Sequence, residues 1–249
     1  MQLIILGSGT AAPLLKRNCA GYLLEADNKK LLFDSGAGTI RRLLELKIDL
    51  FEIDNIFYTH LHNDHINDLG AIIWSNNYGT ARKKQLNLHG PAGFRRYFDV
   101  LLNRLLKPAK LNFKINIKEL KKAALKINNI KIKTQQIKHS HTTKSIAYMV
   151  EHKNKVFVYA GDSDYDKEII KIAKNADVLL TECSFPDNKK VEGHLTPSLA
   201  GKIAAKANVK HLILTHFYPE VLKTDIKMRC SQYFNGKITL AEDKLGINI

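Results

Sequence analysis

The stretch GYLLEADNKKLLFDSG, from Gly21, has a near-copy in AYMVEHKNKVFVYAG, from Ala147. In both, alternating apolar residues flank a polar turn containing Asn28 or Asn154, the pattern of a β-hairpin. IDNIFYTH follows the first hairpin and NADVLLTE the second, so the two halves share a plan of hairpin, helix and strand. Each half then forms a sheet with helices on one outer face. Sheet stacked on sheet gives an α/β fold, a four-layer α/β/β/α sandwich. Two unrelated α/β segments are the alternative. A chain of 249 residues, 45% hydrophobic, suits one domain over residues 1–249, with halves of roughly 1–120 and 121–249.

Hydrophobic periodicity predicts early strands at LIILGS, AGYLLEA, KKLLFDS, DNIFYTH and QLNLHG. Helices are expected over Thr39–Leu46, Asn67–Trp74 and Gly93–Leu106. Later strands read at NIKIKTQQIK, SIAYMVEH, KVFVYAG, ADVLLTE and HLILTHF, and later helices over Lys167–Lys174, Pro197–Ala207 and Asp225–Phe234. The segment Arg104–Lys138 is Lys-rich, with Glu119 its one acid. It reads as a solvated connection containing some strand, or as a basic rim for a polyanion.

The N-terminal MQLIILGSGTAAP lacks a charged leader and reads as a buried strand, not a signal peptide. No apolar run approaches the roughly 20 residues that span a bilayer. Cys19, Cys183 and Cys230 do not form a disulfide framework, so a reducing cytoplasm is expected. With 39 Lys+Arg against 24 Asp+Glu, the net charge is +15. That permits a phosphate-bearing partner, RNA included, without establishing one.

THLHNDH, Thr59 to His65, lies between a buried strand and a helix start, at the sheet edge where α/β folds place chemistry. His60 and His62 are two apart and share one side of an extended backbone. That suits two ligands of one ion. Asp64 and His65 turn into the helix and suit a second. Imidazole mixed with carboxylate fits zinc or a neighbouring divalent metal, Mn or Fe included.

THLHNDHINDL resembles the signature of the metallo-β-lactamase superfamily of metallohydrolases. LGSGTAAPLLKRN and LLFDSGAGTIRRLL are similar to the ribonuclease Z branch, which includes phosphodiesterases of smaller substrates. The resemblance spans nearly the whole chain and implies the same four-layer sandwich. It also implies a third histidine before the second hairpin. HSHTTKSIAY offers His139 and His141. The family spacing to Tyr148 favours His141, while extended-strand parity leaves His139 open. Asp162 in VYAGDSD matches the family's bridging aspartate, and His216 in LILTHFYP its late histidine. The implied centre has His60, His62 and His141 on one metal and Asp64, His65 and His216 on the other, with Asp162 between. Two metals about 3.5–4 Å apart can activate water between them. Asp64 would also orient that water. His194, in VEGHLTPSLAGK, matches a ribonuclease Z motif whose histidine protonates the leaving oxygen. Glu182 is a candidate to orient it. Arg17 and Asn18 match the family's RN pair and are candidate phosphate contacts. Thr196 is expected to cap the helix that Pro197 opens.

The chain departs from the tRNA-processing enzymes in three places. Their tRNA-gripping arm would fall between the third histidine and Asp162, where this chain leaves no room. Asn63 replaces a usual Gly, and DSGAGT replaces an acidic, Gln-containing turn. The expected function is therefore a dinuclear metal-dependent phosphodiesterase, with tRNA 3′-end cleavage one version of it. Hydrolysis of a lactone, thioester or β-lactam, and metal-stabilised binding of nucleic acid without catalysis, are the alternatives. Armless relatives often dimerise, so a homodimer is the family expectation.

Overall fold

The structure is a computed structural model and describes residues 1–79, 82–108 and 110–249, so Ala109 of the Lys-rich segment lies outside the described residues. Its strands are β1 (Gln2–Gly7), β2 (Gly21–Ala26), β3 (Lys29–Ser35), β4 (Ile53–Phe57), β5 (Leu86–Gly90), β6 (Ile115–Glu119), β7 (Ala123–Ile127), β8 (Ile130–Ile137), β9 (Ser145–His152), β10 (Lys155–Tyr159), β11 (Val178–Glu182), β12 (His211–Thr215), β13 (Lys237–Leu240) and β14 (Gly246–Asn248). They form two mixed sheets of seven strands, ordered β14-β1-β2-β3-β4-β5-β6 and β13-β12-β11-β10-β9-β8-β7. The helices are α1 (Thr39–Glu45), α2 (Asn63–Ile66), α3 (Leu69–Trp74), α4 (Phe94–Val100), α5 (Lys167–Ile172), α6 (Pro197–Ala207) and α7 (Ile226–Ser231).

The internal repeat reappears as two matching hairpins. β2 pairs antiparallel with β3, Ala26 opposite Lys29, and β9 with β10, His152 opposite Lys155. Both turns place two successive residues in the left-handed region, Asp27 and Asn28 in one, Lys153 and Asn154 in the other. This is the turn whose twist matches paired strands. Each hairpin then gains a parallel neighbour, β4 beside β3 and β11 beside β10.

Period-2 alternation sorts the side chains into layers. Tyr22, Leu24, Leu31 and Phe33 pack with Tyr148, Phe157 and Tyr159 between the sheets. Leu23 and Leu32, pointing the other way, pack with Leu43 of α1, Ile72 of α3 and Phe94 and Phe98 of α4. The apolar faces of α5 and α6, including Ile169, Ala200, Ile203 and Ala204, join the core on the second sheet. Thr196 caps α6, its hydroxyl accepting from Leu199 N, with Pro197 in the first turn.

Three local expectations change. The helix expected over Asn67–Trp74 starts earlier and breaks into α2 and α3. The Asp68 amide donates to Ser35 O at 2.9 Å, outside its own helix. The helix expected over Gly93–Leu106 widens after Val100 into π-type turns over Leu101–Leu106. The Lys-rich segment is largely sheet. β6, β7 and β8 run through it, with Ile130 and Ile132 buried and Lys131 and Lys133 exposed on β8. The chain changes sheets between Glu119 and Ala123, and β14 returns to the first sheet.

The C-terminal loop before β14 fastens the first sheet. Asp243 accepts from the Ser8 amide (2.9 Å), the Ser8 hydroxyl (2.7 Å), the Asn18 amide (2.8 Å) and Arg42 Nη2 (2.8 Å). Among the described residues no helix is long and apolar enough to cross a membrane.

Candidate metal centre

The donors gather at the C-terminal ends of strands, where loops leave both sheets along one edge of the sandwich. His60, His62, Asp64 and His65 follow β4, His139 follows β8, Asp162 follows β10, and His216 follows β12. The approach is tight. A Cβ on Gly36 would stand 2.0 Å from Asp64 O, so the turn after β3 presses directly on the donor stretch. Gly161 has φ +62, and a Cβ there would meet the Thr59 side chain at 2.7 Å. Only glycine accommodates that combination without displacement.

Two clusters result. In the first, His60 Nε2 lies 3.1 Å from His62 Nδ1, and His139 Nε2 lies 3.2 Å from the same atom. In the second, His65 Nε2 and His216 Nε2 are 3.2 Å apart, and His216 Nε2 is 3.3 Å from Asp64 Oδ2. Asp162 stands between them. Its Oδ1 is 3.3 Å from His65 Nε2, and its Oδ2 is 3.4 Å from His216 Nε2 and 3.9 Å from His60 Nε2.

His141 is not part of either cluster. Its side chain is 93% exposed, and Glu192, 3.7 Å away, is 74% exposed. His139 occupies the expected place instead. The cause is a turn that strand parity could not anticipate. The Ser140 hydroxyl accepts from the Thr142 amide at 3.1 Å, which folds the loop back and sends His141 outward. Arg17 and Asn18 are also placed differently from the expectation. Arg17 Nη1 donates to Ser8 Oγ (2.6 Å) and Ala241 O (2.5 Å), with its guanidinium over the Phe217 ring. The Asn18 side-chain amide donates to Gly38 O at 3.1 Å. These groups brace the N-terminal turn.

The outer hydrogen bonds decide which nitrogens face inward. His139 Nδ1 donates to Gly193 O at 2.7 Å, and His65 Nδ1 to Asp34 Oδ2 at 2.8 Å. The Thr59 hydroxyl donates to Asp34 Oδ2 and so accepts from His60 Nδ1, at 3.0 Å. The Ser184 hydroxyl donates to Glu182 and accepts from His216 Nδ1, at 3.0 Å. Each of these four imidazoles therefore turns its Nε2 toward its cluster. Asp34 is a residue the sequence reading passed over. It is fully buried, holds φ at +54, and also accepts from the Thr59 amide and Tyr159 hydroxyl. Its role follows from the tertiary partners, and the DSGAGT stretch gave no local sign of it.

The electrostatics call for a cation. Burial would lower the His65 pKa, yet the Asp162 and Asp34 carboxylates hold it well above its ordinary value. Burial and neighbouring imidazoles push His60 and His62 down. Against its own burial, Asp64 is lowered to about 2 by the His216 hydrogen bond and the His65 and His216 charges. Among the described residues no donor meets hydrogen-bond geometry at the buried Asp162 Oδ1, His65 Nε2 being the near neighbour at 3.3 Å, and a buried oxygen left so costs about 1–3 kcal/mol if nothing satisfies it. Converging lone pairs beside an unsatisfied carboxylate fit a pair of divalent ions.

His194 lies next to this centre. Its Nδ1 is 3.1 and 3.2 Å from the Glu182 oxygens and 3.9 Å from Asp162 Oδ2. Burial opposes its protonation, but the Glu182 charge and hydrogen bond, with Asp162 behind them, raise it to about 9. The ring lies nearly parallel to that of His216, centroids 6.1 Å apart.

Fold and donor set together define a ribonuclease Z-like member of the metallo-β-lactamase superfamily of metal-dependent hydrolases. The match to a family model over residues 1–237 is more specific: the chain belongs to the family described as Anti-Pycsar protein Apyc1. It is 28% identical to a ribonuclease Z of Halalkalibacterium halodurans, over 87% of each chain. Its fold matches the metallo-β-lactamase fold protein YhfI of Bacillus subtilis with TM-score 0.86 at 22% identity, covering 99% of this chain and 98% of that one. The short form of human tRNase Z matches with TM-score 0.82 at 24% identity, covering 100% and 99%.

Proposed function

We propose that the chain is a dinuclear metal-dependent phosphodiesterase with chemistry like that of ribonuclease Z. The observation that carries this reading is the meeting of the two donor clusters at Asp162, beside the His194 imidazole that Glu182 holds at 3.1 Å. In this reading His60, His62 and His139 hold one ion, and Asp64, His65 and His216 the other, with Asp162 shared. Bound divalent ions, zinc by the donor chemistry with Mn or Fe as alternatives, supply Lewis acidity toward the phosphoryl oxygen and activate water.

The chain's own residues do the rest. Asp64 Oδ2 accepts from the Ala11 amide at 3.0 Å, which fixes the carboxylate and leaves Oδ1 to orient the attacking water. His194, bound to Glu182 through Nδ1, carries its second proton on Nε2, the atom that protonates the leaving oxygen.

The substrate is a diester small enough to need no gripping arm. The β9–β10 hairpin fills the chain between the His139 loop and Asp162 without insertion. An RNA 3′ end is the larger version of the same substrate. The net charge of +15 and the exposed Lys118, Lys126, Lys131 and Lys133 favour a polyanion. The proposal includes a homodimer, in keeping with exposed Trp74, Tyr78, Val100 and Leu105 near α3 and α4. It also places the protein in the cytoplasm, which suits its three free thiols.

The test is hydrolysis of bis(p-nitrophenyl) phosphate by metal-reconstituted protein, with metal content measured on the same sample. Diester turnover with about two ions per chain is expected. Replacing His194 by Ala should lower turnover roughly 10²–10⁴-fold and leave the metal content unchanged. Turnover confined to a lactone or a nitrocefin-type β-lactam would overturn the reading.

A further inference from the structure

Two aromatic rings beside the centre are left unused by this account. Phe185 follows β11 and Tyr218 follows β12. Their rings stack with centroids 4.6 Å apart and planes 21° apart. Both are partly exposed, while Ser184 and Phe217, their neighbours in sequence, are fully buried. Neither ring belongs to either hydrophobic core. Packing therefore does not explain them. The loops that carry them are pinned. The Phe185 amide bonds to Leu195 O at 3.4 Å and the Phe217 amide to Ser8 O at 3.1 Å. The Phe185 centroid is 5.5 Å from that of His194, and the Tyr218 centroid is 6.2 Å from His194 and 5.9 Å from His216.

We propose that the Phe185–Tyr218 pair is a stacking platform for an aromatic ring carried by the substrate, a nucleobase in a nucleotide. The inference rests on the phosphodiesterase reading and assigns these two side chains to the base of its substrate. In that reading His194 serves the leaving oxygen, and the platform borders His194, so a group carried on that ester lies beside the two rings. Pre-stacked rings on pinned loops lose little freedom when a third ring joins them. Every base offers a π face, so the platform favours a base over a sugar without selecting among bases.

The test measures binding to the metal-reconstituted protein by calorimetry, with AMP and ribose 5-phosphate as probes. The wild type should prefer AMP by roughly tenfold, within the range of one base–aromatic stack. In Phe185→Leu and in Tyr218→Leu that preference should collapse toward parity, with ribose 5-phosphate affinity unchanged. Tyr218→Phe should keep it. Equal affinity for the two probes in the wild type overturns the platform, and so does a preference that survives both leucine variants. Turnover of bis(p-nitrophenyl) phosphate, run alongside, separates the two ideas. Diester turnover without AMP preference removes the platform alone, and absent turnover removes the phosphodiesterase reading whatever the probes show.

Discussion

The first half of the molecule brings its donors in one continuous stretch, His60 to His65, between β4 and α3. The second half brings His139, Asp162 and His216 from three loops far apart in sequence, after β8, β10 and β12. The stretch is braced by first-half residues, Thr59 and Asp34 on one side and the Ala11 amide on the other. The loops of the second half are braced by second-half residues, Gly193 for His139 and Ser184 for His216. Two of the donor-bearing or donor-orienting residues, Asp34 and His216, hold positive φ. Non-glycine residues there cost about 1–3 kcal/mol each and persist where surrounding structure enforces them. Two halves with one hairpin plan thus differ, one holding a compact run of candidate donors and the other a scaffold that closes on it.

The sharpest way to break this comparison is at Asp162, which stands between the two clusters and is proposed to serve both. Asp162→Ala should lose both ions and lower diester turnover by roughly 10³-fold or more, whereas His62→Ala should empty the first cluster ahead of the second. Equal metal loss from the two variants would mean that the clusters are not separable. Next comes the third histidine. His139→Ala should reduce metal affinity and turnover by roughly 10²-fold, and His141→Ala should match the wild type. Reversal of those two results would return the ligand role to His141. The brace is the third target. Asp34→Asn should weaken metal binding about 10–100-fold, read by competition with a chelator, because His65 loses its carboxylate acceptor and Thr59, the acceptor of His60, loses the group that orients its hydroxyl.

The smallest effect concerns a histidine of the first half that has no part in the centre. His89 is buried, stacked on Phe57 at 4.5 Å, and neither ring nitrogen has a partner. Burial, with Lys118 nearby, lowers its pKa from 6.5 to about 4. The unfolded chain therefore takes the proton first as pH falls. The stability that neutral His89 contributes is complete above about pH 6.5 and is lost progressively toward about pH 4. Between pH 7.5 and 5 the His89 share of the loss is about 2 kcal/mol, read by urea denaturation as the difference between the wild-type and His89→Phe pH profiles.

The run from His60 to His65 was legible in sequence because its donors are consecutive and their parity along a strand is simple. Asp162 and His216 were named in sequence only through the family resemblance, because a lone carboxylate or imidazole at a strand end carries no signal of its own. His139 was not, because the choice against His141 depends on a hydroxyl–amide bond at Ser140 that folds the loop. Asp34 was not, because its partners Thr59, His65 and Tyr159 are assembled by both sheets. The layered fold followed from the hairpin repeat. The short β13 and β14 carry little pattern of their own, and pairing with β12 and β1 makes them strands. Arg17 and Asn18 look like surface phosphate contacts in sequence. In the folded chain Ser8, Ala241, Gly38 and Asp243 take their polar groups.

Asp243 gives the molecule an order of assembly. It stands 235 residues beyond Ser8, yet it holds the Ser8 and Asn18 backbone and Arg42 of the first sheet. A nascent chain emerging from a ribosome exposes His60 to His65 long before this carboxylate exists. The turn over residues 8–18, whose Ala11 amide steadies Asp64, lacks its Asp243 bonds until that loop is made. Residues 8–18 thus take up their final contacts only after a segment far downstream has arrived, and a ribosome-bound chain carries the proposed donors of a centre it has yet to close.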